Sequence, residues 1–282
     1  MKVCSSIDEV REQIGAIKNQ GKKIGFVPTM GALHQGHLSL INIARKHADV
    51  VVVSIFVNPE QFAPGEDFES YPRELDRDLE KCRQENVSVV FTPTEDGLYE
   101  DNKYLSIKID KLNDHMCGKS RPGFFEGVLL VVNKLFNIVE PDVAVFGQKD
   151  IQQFVILRQM VSEFNQNVDL VMSRIERAND GLALSSRNTY LSDEERVVAP
   201  GLFRALSYIK DQITGGVDTP GLLIEHQKSE LEAKGFKIDY LNVFSHTTLE
   251  PVKTLANNES YILAGAVWLG ETRLIDNILI EL

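Results

Sequence analysis

Four short segments concentrate side chains that can do chemistry. They are Pro28-Thr29-Met30-Gly31-Ala32-Leu33-His34-Gln35-Gly36-His37, Asn58-Pro59-Glu60-Gln61-Phe62, Gly147-Gln148-Lys149-Asp150 and Leu184-Ser185-Ser186-Arg187-Asn188. His34 and His37 are spaced i, i+3 and share one face of a helix that starts there. A helix N-terminus offers unpaired amides and the positive end of the dipole. Two imidazole donors at such an end make a phosphate site, and Gly36 leaves room for a base or ribose to approach the backbone. The competing readings are a capping or core pair and a zinc site. Zinc needs a further ligand, and His47 lies at the far end of the same helix. Lys149 opens a helix after a strand, where its ammonium can meet a phosphate, unless it is only a solvated helix-start lysine. Ser185, Ser186 and Arg187 add two hydroxyls and a guanidinium, in what is otherwise a surface loop. A histidine-bearing helix with a second basic clamp suits adenylate-forming chemistry. There the α-phosphate is attacked, and the charge of the departing pyrophosphate must be neutralised.

These segments need a frame that gathers them, and the hydrophobic pattern supplies one. Residues 23–27 read as a short strand and 36–48 as a helix with Leu38, Ile41 and Ala44 on one face. Residues 50–57 form a β-branched run bare of charge, as in a central parallel strand buried on both faces. Helix at 74–86, strand at 87–91, helix at 127–139, strand at 143–146, helix at 150–164 and strand at 168–172 continue the alternation. The expected fold is α/β, a Rossmann-like parallel sheet with helices on both faces. Such sheets bind ligands at the carboxyl ends of their strands, and all four segments follow strand ends. Near Arg174 the pattern changes. Ser192-Asp193-Glu194-Glu195 is a capping box opening a long helix that Gly215-Gly216 ends. Pro220 starts another helix, and strand-like runs follow at 236–244, 260–266 and 272–280. This predicts a smaller C-terminal α+β domain with a three-stranded, mainly antiparallel sheet. The expected division is 1–175 for nucleotide and acid binding and 176–282 for the smaller domain, which carries the Ser-Ser-Arg loop at its start.

Composition narrows the partners. The 282 residues are 43% apolar and 25% charged, and at ~150 residues per domain they predict about two domains. Thirty Lys and Arg against 41 Asp and Glu give a net charge of −11, which argues against nucleic acid as the main partner. No apolar run approaches the ~20 residues of a spanning helix, so no membrane association is expected. The first six residues lack the apolar segment of a secretory signal. Cys4, Cys82 and Cys117 are far apart and form no metal or redox spacing, as for reduced thiols in a cytoplasmic protein. Gly118-Lys119-Ser120 imitates the end of a phosphate-binding P-loop, but Asn113 stands where the motif's first glycine belongs, and Arg121-Pro122-Gly123 follows where a helix should begin. No G-x-G-x-x-G follows any strand.

The motifs PTMGALHQGH at 28–37, FVNPEQF at 56–62, EDFESYPR at 66–73, VVNKLFNIVEPD at 131–142, FGQKDIQQ at 146–153 and DGLALSSRN at 180–188 stand in one order along nearly the whole chain. In these the sequence closely resembles the pantoate–β-alanine ligase family of the HxGH nucleotidyltransferase-like superfamily. The resemblance implies an acid–amino-acid ligase of pantothenate and coenzyme A biosynthesis. Pantoate is adenylated by ATP with loss of pyrophosphate, and β-alanine then displaces AMP. It implies that Met30, Gly31, Ala32, Leu33, His34, Gln35, Gly36 and His37 bind ATP. So do Gly147, Gln148, Lys149 and Asp150, a backbone contact at Glu176, and the flexible loop Leu184, Ser185, Ser186 and Arg187. His37, His34 and Lys149 carry catalysis, Gln61 and Gln153 hold pantoate, and Gln61 also serves β-alanine. A cytoplasmic homodimer is implied as well.

Two positions depart from the family's pattern. Phe124 follows Arg121-Pro122-Gly123 where a histidine is usual, and Arg77 falls between Asp76 and Asp78 in a region linked to magnesium. No protein ligand to Mg²⁺ is therefore assigned, and the ion is expected on ATP phosphates and water. Three rivals share some of these features: a nucleotidyltransferase that adenylates a phosphorylated acceptor, a tRNA-charging enzyme, and a non-catalytic ATP-binding module. The first has no need of two glutamines aimed at a small acid, and the acidic charge and missing anticodon-binding extension count against the second.

Overall fold

The computed structural model describes residues 1–99 and 104–282. The chain forms two compact units. One comprises Met1–Ile109, Arg121–Gln148 and Ile156–Arg174, and the other Asp110–Ser120, Lys149–Val155 and Ile175–Leu282. The second unit is thus not one continuous run, since two short segments from earlier in the chain belong to it.

In the first unit β1 (Lys2–Cys4) precedes α1 (Ile7–Lys18), β2 (Ile24–Thr29), α2 (Gln35–His47), β3 (Val50–Ile55), α3 (Leu75–Gln84), β4 (Val89–Phe91) and the short α4 (Glu95–Leu98). The short α5 (Met116–Ser120) lies in the second unit, and α6 (Phe124–Val139) and β5 (Val143–Gly147) return to the first. Helix α7 (Ile151–Glu163) then leads to β6 (Asp169–Ser173). All six strands are parallel, in the order β1-β4-β3-β2-β5-β6. The order reverses between β2 and β5, the switch point where parallel sheets open a ligand crevice.

Both faces of the sheet are covered because its strands carry apolar side chains on both. Val27, Val51, Val53, Val90 and Val145 point to one face and pack with Leu40, Ile41 and Ala44 of α2 and Cys82 of α3. Phe26 points the other way, and its ring meets Phe136 of α6 edge-on at 6.4 Å. The expected strand at 50–57 is the six-residue β3, buried along nearly its whole length.

The second unit holds α8 (Asp193–Val198), α9 (Gly201–Thr214) and α10 (Gly221–Glu232), followed by β7 (Phe236–Ser245), β8 (Ser260–Leu269) and β9 (Thr272–Glu281). Its sheet is antiparallel throughout, in the order β7-β8-β9. Leu202, Leu206, Ile209 and Ile213 of α9 bury against Leu241, Leu263 and Val267. The capping box at Ser192 forms as expected, but the helix it opens is not long. It stops at Val198, and a new helix starts after Pro200. Proline has no amide to continue the ladder and fits a helix start instead. Among the described residues no helix is long and apolar enough to cross a membrane.

Candidate active site

Strand β2 ends at Thr29, in register with Ile55 at the end of β3, and the chain then makes a tight turn into α2. Gly31 (φ +83°) and Ala32 (φ +50°) are both left-handed, which turns the backbone sharply enough to start a helix within a few residues. His34 caps α2, and its Nδ1 accepts the Gly36 amide at 3.1 Å. The Nδ1 of His37 accepts the His34 amide at 3.3 Å. This is a capping box built from two imidazoles in place of the usual Ser and Glu. The rings lie 4.2 Å apart, centroid to centroid. A ring nitrogen that accepts from an amide carries no proton, so this hydrogen-bond pattern assigns the neutral rings' proton to Nε2 in both.

The pairing corrects the expectation of unpaired amides at this helix start. The Gly31 amide donates to Thr29 Oγ1, the Ala32 and Leu33 amides to Asp78, the His34 amide to His37 and the Gly36 amide to His34. An anion here would meet imidazole Nε2–H groups and the helix dipole, not this row of amides. Gly36 also has a closer reason than room for a ligand. A Cβ there would lie 2.8 Å from Cε1 of His34, so the glycine makes space for the capping ring itself.

Gln61 sits in a one-turn helix, Pro59–Gln61, capped by the Asn58 side chain. Its Nε2 donates to Met30 Sδ at 2.9 Å, which joins it to the histidine turn. Its Oε1 accepts from Asn58 Nδ2 at 3.2 Å, and its carbonyl accepts from Arg121 at 3.2 Å. Asn58 is fully buried and reaches further, donating to the Gly127 carbonyl and accepting from Tyr99 at 2.8 Å. Burial raises the Tyr99 phenol well above its ordinary range, so it stays a donor to Asn58. Gly127 allows the close fit, since a Cβ there would stand 2.0 Å from the Glu60 carbonyl oxygen. Arg121 forms a two-point ion pair with Glu66, and its guanidinium lies 3.7 Å from the centroid of the Phe124 ring. Phe124, in the place of the family's usual histidine, therefore serves as a face for a cation.

In the second unit Lys149 and Ser185 line one pocket with Asn188, Arg273 and Asp276. Asn277 donates to the Lys149 carbonyl at 3.1 Å. Arg177 makes a bidentate pair with the buried Asp276, at 2.6 and 2.8 Å, and also donates to the Gly181 carbonyl. These contacts anchor the backbone leading to Leu184, whose amide donates to the Glu176 carbonyl. Ser185 caps the short helix Ser186–Tyr190 that carries Ser186 and Arg187. Gly147 ends β5, and Gln148, Lys149 and Asp150 form one 3-10 turn before α7. Gln153 is half-buried on α7, one residue after Gln152. Gln152 accepts the Gly118 amide and donates to the carbonyls of Leu112 and His115. The P-loop imitation Gly118-Lys119-Ser120 is thus the end of short α5, held from below by a glutamine.

The sequence assigns no role to Asn58, Arg121 or Asp78, although each holds a residue of the site. For Asp78 a signal exists. It lies on the face of α3 that carries Leu79 and Cys82, so a carboxylate stands where the helix pattern asks for an apolar residue.

Comparison with known proteins gives one consistent likeness. The sequence profile of the pantoate-β-alanine ligase family matches residues 2–279. A pantothenate synthetase of Caldicellulosiruptor saccharolyticus is 46% identical over 282 residues, covering 100% of both chains. That of Thermosipho africanus is 47% identical over 280 residues, covering 99% of this chain and 100% of the other. The crystal structure of a Thermus thermophilus pantothenate synthetase superposes with a TM-score of 0.91 at 38% identity, covering 99% of each chain. A Francisella tularensis pantoate-β-alanine ligase, complexed with βγ-ATP and β-alanine, gives a TM-score of 0.83 at 35% identity, covering 99% of this chain and 97% of that one.

Proposed function

The chain belongs to the pantoate–β-alanine ligase family and catalyses the ATP-dependent ligation of pantoate and β-alanine to pantothenate; we propose that it does so through a pantoyl adenylate. A pantoate carboxylate oxygen attacks the α-phosphorus of ATP, and pyrophosphate leaves. The amine of β-alanine then attacks the acyl carbon. AMP departs with the bonding pair, and the amide forms with loss of a proton. In this reading the Nε2–H groups of His37 and His34 donate to phosphate oxygens as negative charge grows on them. Lys149, Ser185, Ser186 and Arg187 neutralise the departing pyrophosphate. The segments 30–37 and 147–150, with Glu176 and Leu184, hold the rest of ATP. Gln61 and Gln153 are neutral amides with both donors and an acceptor. They suit the hydroxyl and carboxylate oxygens of pantoate, and Gln61 also serves β-alanine.

The observation that carries this reading is the histidine capping box. Each Nδ1 is an acceptor for a backbone amide, which leaves Nε2–H as the proton-bearing atom of two rings at the carboxyl end of β2. Mg²⁺ would be held by the triphosphate and water. Among the described residues no three His, Cys, Asp or Glu side chains cluster to hold a metal, and Asp78 is turned inward to two amides. A homodimer in the cytoplasm completes the proposal. The three free, buried cysteines suit a reducing compartment, and light scattering reads the oligomer.

The test is ATP with pantoate, with and without β-alanine, in single turnover. Pyrophosphate should appear with pantoate alone, and AMP and pantothenate only once β-alanine is added. Release of ADP, or no pyrophosphate before β-alanine, would overturn the adenylate route.

A further inference from the structure

The turn between β2 and α2 is strained and yet has one shape. Gly31 and Ala32 are both left-handed, a conformation that alanine avoids. In a tight turn of this kind successive amides point into one concavity, the kind of cradle that ordinarily takes an anion. Here that anion belongs to the protein. Asp78 Oδ2 accepts the Ala32 amide at 2.8 Å, and Oδ1 accepts the Leu33 amide at 2.7 Å. One turn further along α3, Lys81 Nζ donates to the Leu33 carbonyl at 2.5 Å. The short turn is therefore gripped at its amides and at a carbonyl by two side chains of α3, separated by i, i+3.

Asp78 is fully buried, at 0% exposure. A buried carboxylate is costly unless its oxygens are hydrogen-bonded, and an apolar residue at this place would simply have packed with Cys82. Burial pushes its carboxyl above the ordinary range, while the two amides pull it back. The fold thus accepts an unfavourable group in the core, and what that group holds is the backbone just before His34. The strain of Ala32 persists only because neighbours over-determine it.

We propose that Asp78, with Lys81, is a positioning residue for ATP: it holds the turn 31–33 in the left-handed form that sets the direction of the His34 and His37 imidazoles. The proposal rests on the reading that this turn and its histidines bind ATP. Asp78 touches no substrate and acts through the backbone. Replacing it by asparagine leaves one accepting oxygen and puts an NH₂ donor against the other loop amide. The turn then loses a charge-assisted bond and gains a donor facing a donor.

The experiment compares Asp78→Asn, Lys81→Met and His34→Ala with the wild type. It measures KM and kcat for ATP and for pantoate separately, with thermal melting to monitor the fold. Asp78→Asn should lower kcat/KM for ATP about 10- to 100-fold, the worth of one charged hydrogen bond, and leave the KM for pantoate within about 2-fold. Lys81→Met should move ATP kinetics the same way by about 3- to 10-fold. Wild-type ATP kinetics in a folded Asp78→Asn protein, or a rise in the KM for pantoate as large as that for ATP, overturns the inference. If Asp78→Asn does not yield folded protein, unchanged ATP kinetics in Lys81→Met overturn it. If His34→Ala keeps wild-type ATP kinetics while Asp78→Asn loses them, the ATP reading of the turn fails instead.

Discussion

Replacing Gly36 by alanine separates stability from turnover at this site. The added Cβ would lie 2.8 Å from Cε1 and 2.9 Å from Nδ1 of His34. Both distances are several tenths of an ångström inside ordinary contact, and the atoms they meet belong to a side chain that can swing, not to backbone. The ring therefore moves, and Nδ1 cannot keep its 3.1 Å bond to the residue 36 amide. Losing an N-cap contact costs about 0.5–2 kcal/mol. Alanine repays roughly 1 kcal/mol of helix propensity over glycine. The net change should be within about 1 kcal/mol, or a melting shift under about 4 °C for a chain of this size. Turnover follows a different rule. An oriented charge-stabilising donor is worth about 10²–10³ in rate, and a misplacement near 1 Å forfeits about 10². We expect Gly36→Ala to lose at least ~10²-fold in kcat at saturating ATP, pantoate and β-alanine, by pyrophosphate release, with a nearly unchanged melting curve. Near-normal turnover would show that the placement of the His34 ring is immaterial. A fall in melting temperature above about 10 °C would show that the collision lands on the backbone.

His37→Ala and Lys149→Ala should each lower turnover by about 10²–10³ with the fold intact, and pre-steady-state pyrophosphate release would place the loss before β-alanine attack. Gln61→Ala and Gln153→Ala should weaken pantoate use by about 5- to 150-fold and leave ATP affinity nearly unchanged, since an unpaired polar group costs ~1–3 kcal/mol; calorimetric titration of each ligand checks this, and loss of ATP binding alone would reverse the assignment. Phe124→His should change activity by less than about 10-fold, because the position faces Arg121 as a cation's platform and an aromatic ring at that place still offers one. A large gain in pantothenate formation would mean that an imidazole is wanted there.

Much of the frame was legible because local pattern and tertiary role agree. The β-branched run at 50–57 has no polar face, so it had to be a strand covered on both sides, and β3 is. The Ser192 capping box and the three late strands are equally local signals, each satisfied by neighbours close in the chain. The break at Pro200 was also written in the chain, since proline cannot donate within a helix, but the apolar period runs across it and hides it. The three-residue edge strand β1 is too short to show a period of its own and exists only because β4 pairs with it.

The site residues divide in the same way. Residue types and spacing alone pick out His34, His37 and Lys149, because imidazole pairs and cations are recognisable as chemistry wherever they stand, whereas Gln61 was singled out only by the family resemblance. What those groups are bonded to was not legible. Which ring nitrogen bears the proton depends on amides that meet it only once the turn has formed. That the turn's amides are taken depends on Asp78, forty-five residues from Leu33 and on another helix. The small side chain at residue 127 reads as a gap in an apolar helix until Glu60's carbonyl is seen to need the space. The sequence by itself determined which chemistry was present and which strands and helices would carry it, since those follow from side-chain type and short-range period. Only the tertiary structure decided the direction of each functional group, because direction is set by hydrogen bonds and steric contacts between residues far apart in the chain, and no local pattern encodes them.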